Sequence, residues 1–421
     1  MRRAATDVRI SGDWLDDPRL HRLFAAIERD GDTAYVVGGA VRNTLMGLTV
    51  GDVDVATTAL PEVVIERARA AGLKPVPTGL DHGTITVVVE GHPFEVTTLR
   101  QDVESHGRHA TVAFGRDWSV DAHRRDFTMN ALYVSLDGVV HDFVGGIADA
   151  RAGRVRFIGD AQRRIAEDRL RILRFFRFHA AYGRGGLDAD GLAAAIAARA
   201  GLAGLSAERI GQETTKLVVA EGAPATLTAM SDAGLIQRVL GRAVDLGGFA
   251  RLHGLVGAEG GPTRTPVDAA LFLAALAAWT EGDAAALGER LRLSNAARER
   301  MIAAVRHARV PGPGDPDGAV DRMLHLAGRV GAGDAFALAH ARGRLDRAAT
   351  LTRLSAVVLR PEPVLPIAGR DLLALGLTRG PEVGRLLADL ADHWIASGFR
   401  AGRDDLLARA RAAVDGILGN S

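Results

Sequence analysis

Asp52 and Asp54 flank Val53 in a run, Asp52 to Ala56, whose residues favour a strand. Residues i and i+2 of a strand share one face, so the two carboxylates point the same way. Like charges at that spacing repel unless a cation lies between them. Oxygen donors in a chain with no cysteine suit Mg2+, which takes carboxylates together with the phosphates of a substrate. Glu95, in Pro93-Phe94-Glu95-Val96-Thr97, is the candidate third carboxylate that would complete a two-metal site, where ions about 4 Å apart could activate a hydroxyl and stabilise a leaving pyrophosphate. Upstream, Val36-Val37-Gly38-Gly39-Ala40-Val41-Arg42 reads as a strand, two glycines and a helix. Backbone N–H groups unobstructed by Cβ atoms then lie at a helix N-terminus, where phosphate binds well, and Arg42 on the first turn can add a charge-assisted contact. Each feature also has a plain structural reading: a glycine turn, an acidic strand edge, an exposed strand glutamate.

The elements that must position these groups fall before residue 150. Short strand-like runs (Tyr35-Val36-Val37, Asp52 to Ala56, Thr84 to Glu90, Phe94 to Leu99) alternate with helical stretches at Ala40–Met46 and Pro61–Ala71. Glu90-Gly91-His92 separates two apolar runs, and Asp137-Gly138 is a type I′ hairpin signal between Ala131–Ser135 and Val139–Phe143. Beyond residue 150 the pattern is helical and alanine-rich, with glycine and proline clusters at Gly257–Pro266, Pro311–Gly318 and Arg360–Pro366. The expectation is an α+β chain: a head with a small mixed sheet over 1–145, then a helical neck over 146–220, a body over 221–360 and a tail over 361–421.

Composition narrows the function classes. The 421 residues carry 52 Lys and Arg against 51 Asp and Glu, so no global charge announces a polyanionic partner. Only Lys74 and Lys216 are lysines; the arginine excess suits bidentate phosphate and base contacts, and a GC-rich genome produces the same bias. The absence of cysteine excludes disulfides, thiolate metal sites and cysteine nucleophiles. No secretory signal is visible, and the longest apolar stretch, near Ala269–Trp279, is shorter than the ~20 residues of a membrane span, so a cytoplasmic protein without membrane partners is expected. His106, His109, His123 and His141 lack zinc-ligand spacing.

The motifs together resemble class II nucleotidyltransferases of the polymerase-β superfamily, the group containing tRNA CCA-adding enzymes and bacterial poly(A) polymerases. After the Gly38-Gly39…Asp52…Asp54 signature, Arg124-Arg125-Asp126-Phe127-Thr128-Met129-Asn130-Ala131 resembles the motif that meets the ribose and triphosphate of the incoming nucleotide. Gly145-Gly146 through Ile158 resembles the hinge between head and neck, and Glu167-Asp168-Arg169-Leu170-Arg171 the nucleotide-selecting motif. Glu208-Arg209-Ile210, with Glu213 and Lys216, resembles the helix that buttresses it, and Gly79 to Thr84, with His82, a turn of the CCA-adding enzymes. The tail from Ile367 to Gly384 also resembles those enzymes; there Pro381 starts a helix able to hold an RNA phosphate or simply to pack. Two departures stand out: His109-Ala110 in the polar loop between Arg100 and Asp121, where an Arg-Pro pair is common, and Asn43, where aspartate usually follows the motif arginine.

The resemblance implies template-independent addition of C, C and A to tRNA 3′ ends from CTP and ATP. Its catalytic groups would be Asp52, Asp54 and Glu95, with Mg2+ on the two aspartates. Its nucleotide-binding groups would be Gly38, Gly39, Arg42, Arg125, Asp126, Asn130, Glu167, Asp168, Arg171 and Arg174. Poly(A) synthesis is the alternative, disfavoured because the basic stretch expected after the acidic pair is missing; CC-only or A-only addition and an inactive RNA-binding module are the others.

The neck pattern carries a physical argument of its own. From Gln162 to Phe178, read as one helix, Ile165, Ile172, Leu173 and Phe176 gather on one side while Arg164, Glu167, Asp168, Arg171 and Arg174 occupy the other; Arg169 alone falls among the apolar positions. Asp168 and Arg171 are then neighbours three residues apart, an ordinary surface ion pair or a fixed acceptor beside a fixed donor. Cytosine and adenine each present an amino donor beside a ring acceptor and match that pair. Uracil and guanine present the reverse and leave buried groups unpaired, a mismatch that can be worth several kcal/mol.

Overall fold

The structure, a computed structural model, describes residues 5–80, 83–106, 109–256, 268–309 and 316–418. The contacts divide the chain into two compact units, Met1–Arg242 and Ala243–Ser421.

Among the described residues, the first unit holds ten strands: β1 (Ala5–Arg9), β2 (Ala34–Val37), β3 (Asp54–Thr57), β4 (Lys74–Gly79), β5 (Thr84–Val89), β6 (His92–Thr98), β7 (Arg100–His106), β8 (His109–Phe114), β9 (Leu132–Val134) and β10 (Val139–Asp142). Among them run α1 (Pro18–Ile27), α2 (Gly39–Met46), α3 (Pro61–Ala70) and α4 (Trp118–Arg124); after them come α5 (Gly146–Ala152), α6 (Ala161–Glu167), α7 (Leu170–Tyr182), α8 (Ala189–Ala198), α9 (Ala207–Val218), α10 (Ala223–Asp232) and α11 (Ile236–Leu240). Eight of these strands form one mixed sheet in the order β1-β10-β9-β2-β3-β6-β5-β4, in which β3 and β6 pair parallel and the other described neighbours antiparallel. The α+β expectation for the head holds, as does the helical reading of the chain beyond it.

Local chemistry explains most element ends. Pro61 occupies the first turn of α3, and Asp17 caps α1 by accepting from the Arg19 N–H at 2.8 Å. The two hairpin signals exchange roles. Glu90 (φ 51°) and Gly91 (φ 81°) are both left-handed, as a type I′ turn requires, whereas at Asp137-Gly138 only Gly138 is (φ 83°). That second turn is closed instead by Gly138 N–H donating to Ser135 O, and Asp137 stays on the ordinary side of φ because its carboxylate accepts from the Ser135 hydroxyl. The stretch expected as a loop after Arg100 is largely the two-stranded ribbon β7–β8, followed by α4. His82 and Arg108 lie outside the described residues.

The neck departs most from expectation. A single helix over Gln162–Phe178 is interrupted at Asp168, which adopts an extended conformation (φ −149°, ψ 112°) between α6 and α7. The Asp168 carboxylate accepts from the Leu170 N–H at 3.0 Å, and its carbonyl from the Arg171 N–H at 3.0 Å, so this residue starts α7 rather than continuing α6. The break turns Arg169 out of the apolar stripe and lays its stem against Gly201. Helices α10 and α11, expected to open the body, pack on α7 and on the 3-10 turn Arg199–Gly204, within the first unit.

In the second unit the apolar stretch Ala270–Ala277 is a buried helix, and among the described residues no single helix is long and apolar enough to cross a membrane. Its last helices, Gly369–Ala374, Pro381–Ala396 and Arg403–Leu418, share a core built on Leu372, Leu386, Leu390, Trp394 and Leu406, with Pro381 in the first turn as expected.

Gly146, at the start of α5, has no room for a side chain: a Cβ there would press into the Thr128 carbonyl oxygen. Gly146→Ala is expected to cost about 1–3 kcal/mol, measured by urea unfolding, because neither backbone can yield without disturbing the segment that carries Asn130. An unshifted urea midpoint would contradict this packing.

Candidate active site

The acidic groups meet at the β3–β6 edge. Strand β3 opens at Asp54, opposite Val37 of β2, so Asp52 lies in the turn before it and the expected strand pleat does not align the pair. The parallel register does align Asp54 with Glu95. Val55 and Val96 are partners and both are buried, so the residues preceding them, Asp54 and Glu95, turn to the open face, where both are exposed. Protein closes round Asp54 even though its surface stays open. Burial pushes its carboxyl up, and the charges of Glu95 and then Asp52 push it further, against the opposing Arg125. A proton is favoured there for the reason a dication would be. Among the described residues no three His, Asp or Glu side chains cage an ion by themselves, so phosphate and water oxygens would have to complete its shell.

The glycine turn leads directly to that edge. Gly38 (φ 72°) precedes α2, and its N–H donates to Leu132 O at 3.0 Å, tying the turn to β9. Arg42, only 6% exposed, is pinned on all sides: Nη1 donates to Asn130 Oδ1 at 2.6 Å, Nε and Nη2 to Asn43 Oδ1 at 3.1 and 2.8 Å, and Nη2 to the Tyr182 hydroxyl at 2.8 Å. Asn43 thus orients the guanidinium with a neutral amide, so the positive charge is not cancelled by the carboxylate usual in the resembling family.

The segment from Arg124 to Asn130 is a buried charge network. Asp126 accepts two bonds from Arg174, at 2.7 and 2.5 Å, one from Asn130 Nδ2 at 3.2 Å and one from the Phe127 N–H at 2.8 Å. Burial alone would raise its pKa; the Arg174 charge and these donors outweigh it and bring it below the ordinary value. Arg174 also lies 3.7 Å from Glu213, which receives Arg177 Nε at 2.5 Å. Beside this, Asp121, 1% exposed, binds Arg124 at 2.6 Å, Arg125 at 3.0 Å and the Tyr133 hydroxyl at 2.7 Å. Burial opposes its charged form, but Arg125, Arg124 and Tyr133 prevail and hold it at about 2.

Asp168 and Arg171 do not pair with each other. Asp168 receives Arg209 Nη2 at 2.6 Å, while Arg171 donates to Glu167 at 2.5 Å, to Arg164 O at 2.8 Å and to Arg124 O at 3.2 Å. The break before α7 removes the shared helical face on which that pair depended, and each charge takes the nearest opposite one.

A cleft of about 540 Å³ gathers most of the expected residues: Gly38, Gly39, Arg42, Asp54, Arg125, Asp126, Asn130, Asp168, Arg171 and Arg174. Arg124, Leu170, Phe178 and Arg209 complete its lining, and Asp52, Glu95 and Glu167 are not part of that lining. Two participants escaped the sequence reading. Asp121 was legible in principle, being three and four residues before two arginines on one helix. Tyr182, 140 residues from Arg42, left no local trace.

The comparisons agree with this geometry. The Poly A polymerase head domain family matches residues 34–156. The mouse protein named CCA tRNA nucleotidyltransferase 1, mitochondrial, is 34% identical over 400 residues, covering 92% of this chain and 88% of its own. A CCA-adding enzyme of Geobacillus thermodenitrificans is 40% identical over 215 residues, 51% of this chain and 52% of its own. The crystal structure of the Bacillus stearothermophilus CCA-adding enzyme in complex with CTP superposes with a TM-score of 0.72 at 25% identity, over 96% of this chain and 100% of that one. The fold is that of a nucleotidyltransferase with a polymerase-β-like head. Within that class, the chain belongs to the CCA tRNA nucleotidyltransferase family.

Because the folded pKa of Asp121, about 2, lies below the ordinary 3.8, its carboxylate stabilises the fold above pH ~4, and that contribution fades as pH falls toward 2. Asp121→Asn leaves two arginines without their buried counter-charge and is expected to cost about 3–5 kcal/mol in urea unfolding at pH 7. It should also flatten the loss of stability between pH 4 and 2. The same acid profile in both proteins would refute the assignment.

Proposed function

We propose that this protein adds C, C and A to the 3′ end of tRNA, taking CTP and ATP as donors and releasing pyrophosphate. The observation that carries the reading is the meeting, in one cleft, of a helix N-terminus, an aspartate crowded by two carboxylates, and the Asp168 and Arg171 side chains. The terminal 3′-hydroxyl attacks the α-phosphorus; the bond from that phosphorus to the bridging oxygen breaks, and the oxygen leaves with pyrophosphate. Gly38 and Gly39 leave backbone N–H groups clear for the phosphates, with the Arg42 and Arg125 charges beside them. Asp126 and Asn130 hold the ribose side of the cleft. The donor set fits Mg2+: Asp52 and Asp54 would hold it, with Glu95 adding negative charge from the next strand. Bound there, the dication offsets the charge of the triphosphate and activates the hydroxyl.

Base choice rests on an acceptor and a donor held by separate partners. Arg209 fixes the Asp168 carboxylate and Glu167 fixes the Arg171 guanidinium, so neither side chain is free to turn toward a base of the wrong pattern. C and A satisfy both; U and G leave both unpaired. The first unit would thus do the chemistry, while the helical body and tail hold tRNA. We assign the activity to the cytoplasm; fractionation into an organelle, the compartment named for the mouse relative, would reassign it.

Incubation with tRNA lacking CCA, Mg2+ and CTP, ATP or both should extend the RNA by two residues with CTP alone and by three with both. Long adenylate tails would mark a poly(A) polymerase, and binding without extension an inactive RNA-binding module. Asp52→Ala and Asp54→Ala should each slow transfer at least ~100-fold, several kcal/mol of barrier, with the circular dichroism spectrum preserved. Asp168→Ala should narrow the preference for C and A over U and G by ~100-fold or more, with tRNA affinity kept. Undiminished selectivity in that variant would sink the base-reading assignment.

A further inference from the structure

We infer that Tyr182 is a positioning residue for nucleotide binding, which sets the Arg42 guanidinium from the far end of the base-reading helix. This rests on the nucleotidyltransferase reading of the cleft. Helix α7 begins at the residues that face the base, Asp168 and Arg171, and ends at Tyr182. Arg171, Arg174, Phe178 and Tyr182 recur three and four residues apart, so they form one stripe along the helix. The stripe meets Asp126 through Arg174 and Arg42 through Tyr182.

The contact with Arg42 is double. Its guanidinium carbon lies 3.9 Å from the Tyr182 ring centroid, and its Nη2 donates to the Tyr182 hydroxyl at 2.8 Å. A guanidinium has five N–H donors in a fixed fork. Four are spent: Nε and one Nη2 hydrogen on Asn43, the second Nη2 hydrogen on Tyr182, and one Nη1 hydrogen on Asn130. The second Nη1 hydrogen is left to meet a phosphate oxygen of the nucleotide, in a plane fixed before the nucleotide arrives. Ring and hydroxyl together keep the fork from rotating, so the ordering cost of binding is met in advance. The same rigid helix then spaces the group that grips phosphate from the groups that read the base.

The test compares wild type, Tyr182→Phe and Tyr182→Ala by direct CTP titration without RNA and by steady-state transfer to tRNA lacking CCA, with folded fraction checked by thermal melting. Removing the hydroxyl alone should weaken CTP binding about 3–10-fold, and removing the ring as well should weaken it further. KM for both CTP and ATP should rise, kcat should change less, and the preference for C and A over U and G should stay as in wild type, since the base-reading end of α7 is intact. Wild-type affinity in both variants would overturn the inference, as would losses that merely follow a smaller folded fraction or a Phe variant equal to wild type in KM. Wild-type protein that binds CTP yet extends no RNA would defeat the nucleotidyltransferase reading, while the binding series would still decide the role of Tyr182; wild-type protein that binds no CTP would defeat both.

Discussion

Asp126 is a carboxylate almost wholly withdrawn from solvent in the wall of the cleft, and the first unit is organised around keeping it charged. An isolated buried carboxylate is prohibitively costly, so it must find a cation and fill its remaining lone pairs. Arg174 supplies the cation with two bonds to one oxygen, and Asn130 and the Phe127 N–H occupy the other. Since Arg174 sits in the middle of α7, satisfying Asp126 also sets how far along its axis that helix docks. A slip by one turn would strand the charge. The clustered rings of Phe127, Phe157, Phe175 and Phe178, with centroids 4.9 to 6.4 Å apart, fill the apolar side of the same joint and exclude water from it.

The position of α7 has consequences at both ends. At its start, the helix break frees Asp168 and Arg171 from a common face and hands each to a different partner, Arg209 of α9 and Glu167 of α6. Three elements therefore meet at that corner of the cleft. At its end, Tyr182 reaches α2, whose N-terminus follows the glycine turn. The Arg42 side and the Asp168 side of the cleft thus meet opposite ends of one rod, and charge pairing stops that rod from sliding.

What could be read from residue order was whatever depends on near neighbours. The positive φ at Gly38, the start of α3 at Pro61, the alternation that buries Val55 and Val96 while exposing Asp54 and Glu95, and the wholly apolar helix at Ala270–Ala277 all come from rules acting over a few residues. So did the α+β division, while ten of the residues that line the cleft were named through the resemblance of their motifs to the nucleotidyltransferases. The same rules misled where two local solutions compete. Periodicity drew one helix through Asp168, yet the carboxylate there can cap a new helix, and packing of α7 chose the cap. Asp137-Gly138 carries the hairpin signal, yet the Ser135 hydroxyl holds the Asp137 carboxylate in a different turn.

The distant partners of the buried charges were beyond residue order. Asp168 finds Arg209 41 residues away, Asp126 finds Arg174 48 away, and Arg42 finds Tyr182 140 away. Motif spacing established which groups carry charge and that acids, glycines and arginines would share a cleft. It left open which guanidinium neutralises which carboxylate, because the cost of a buried charge is a property of the whole environment around it. That cost does not exist until the helices have docked and water has gone.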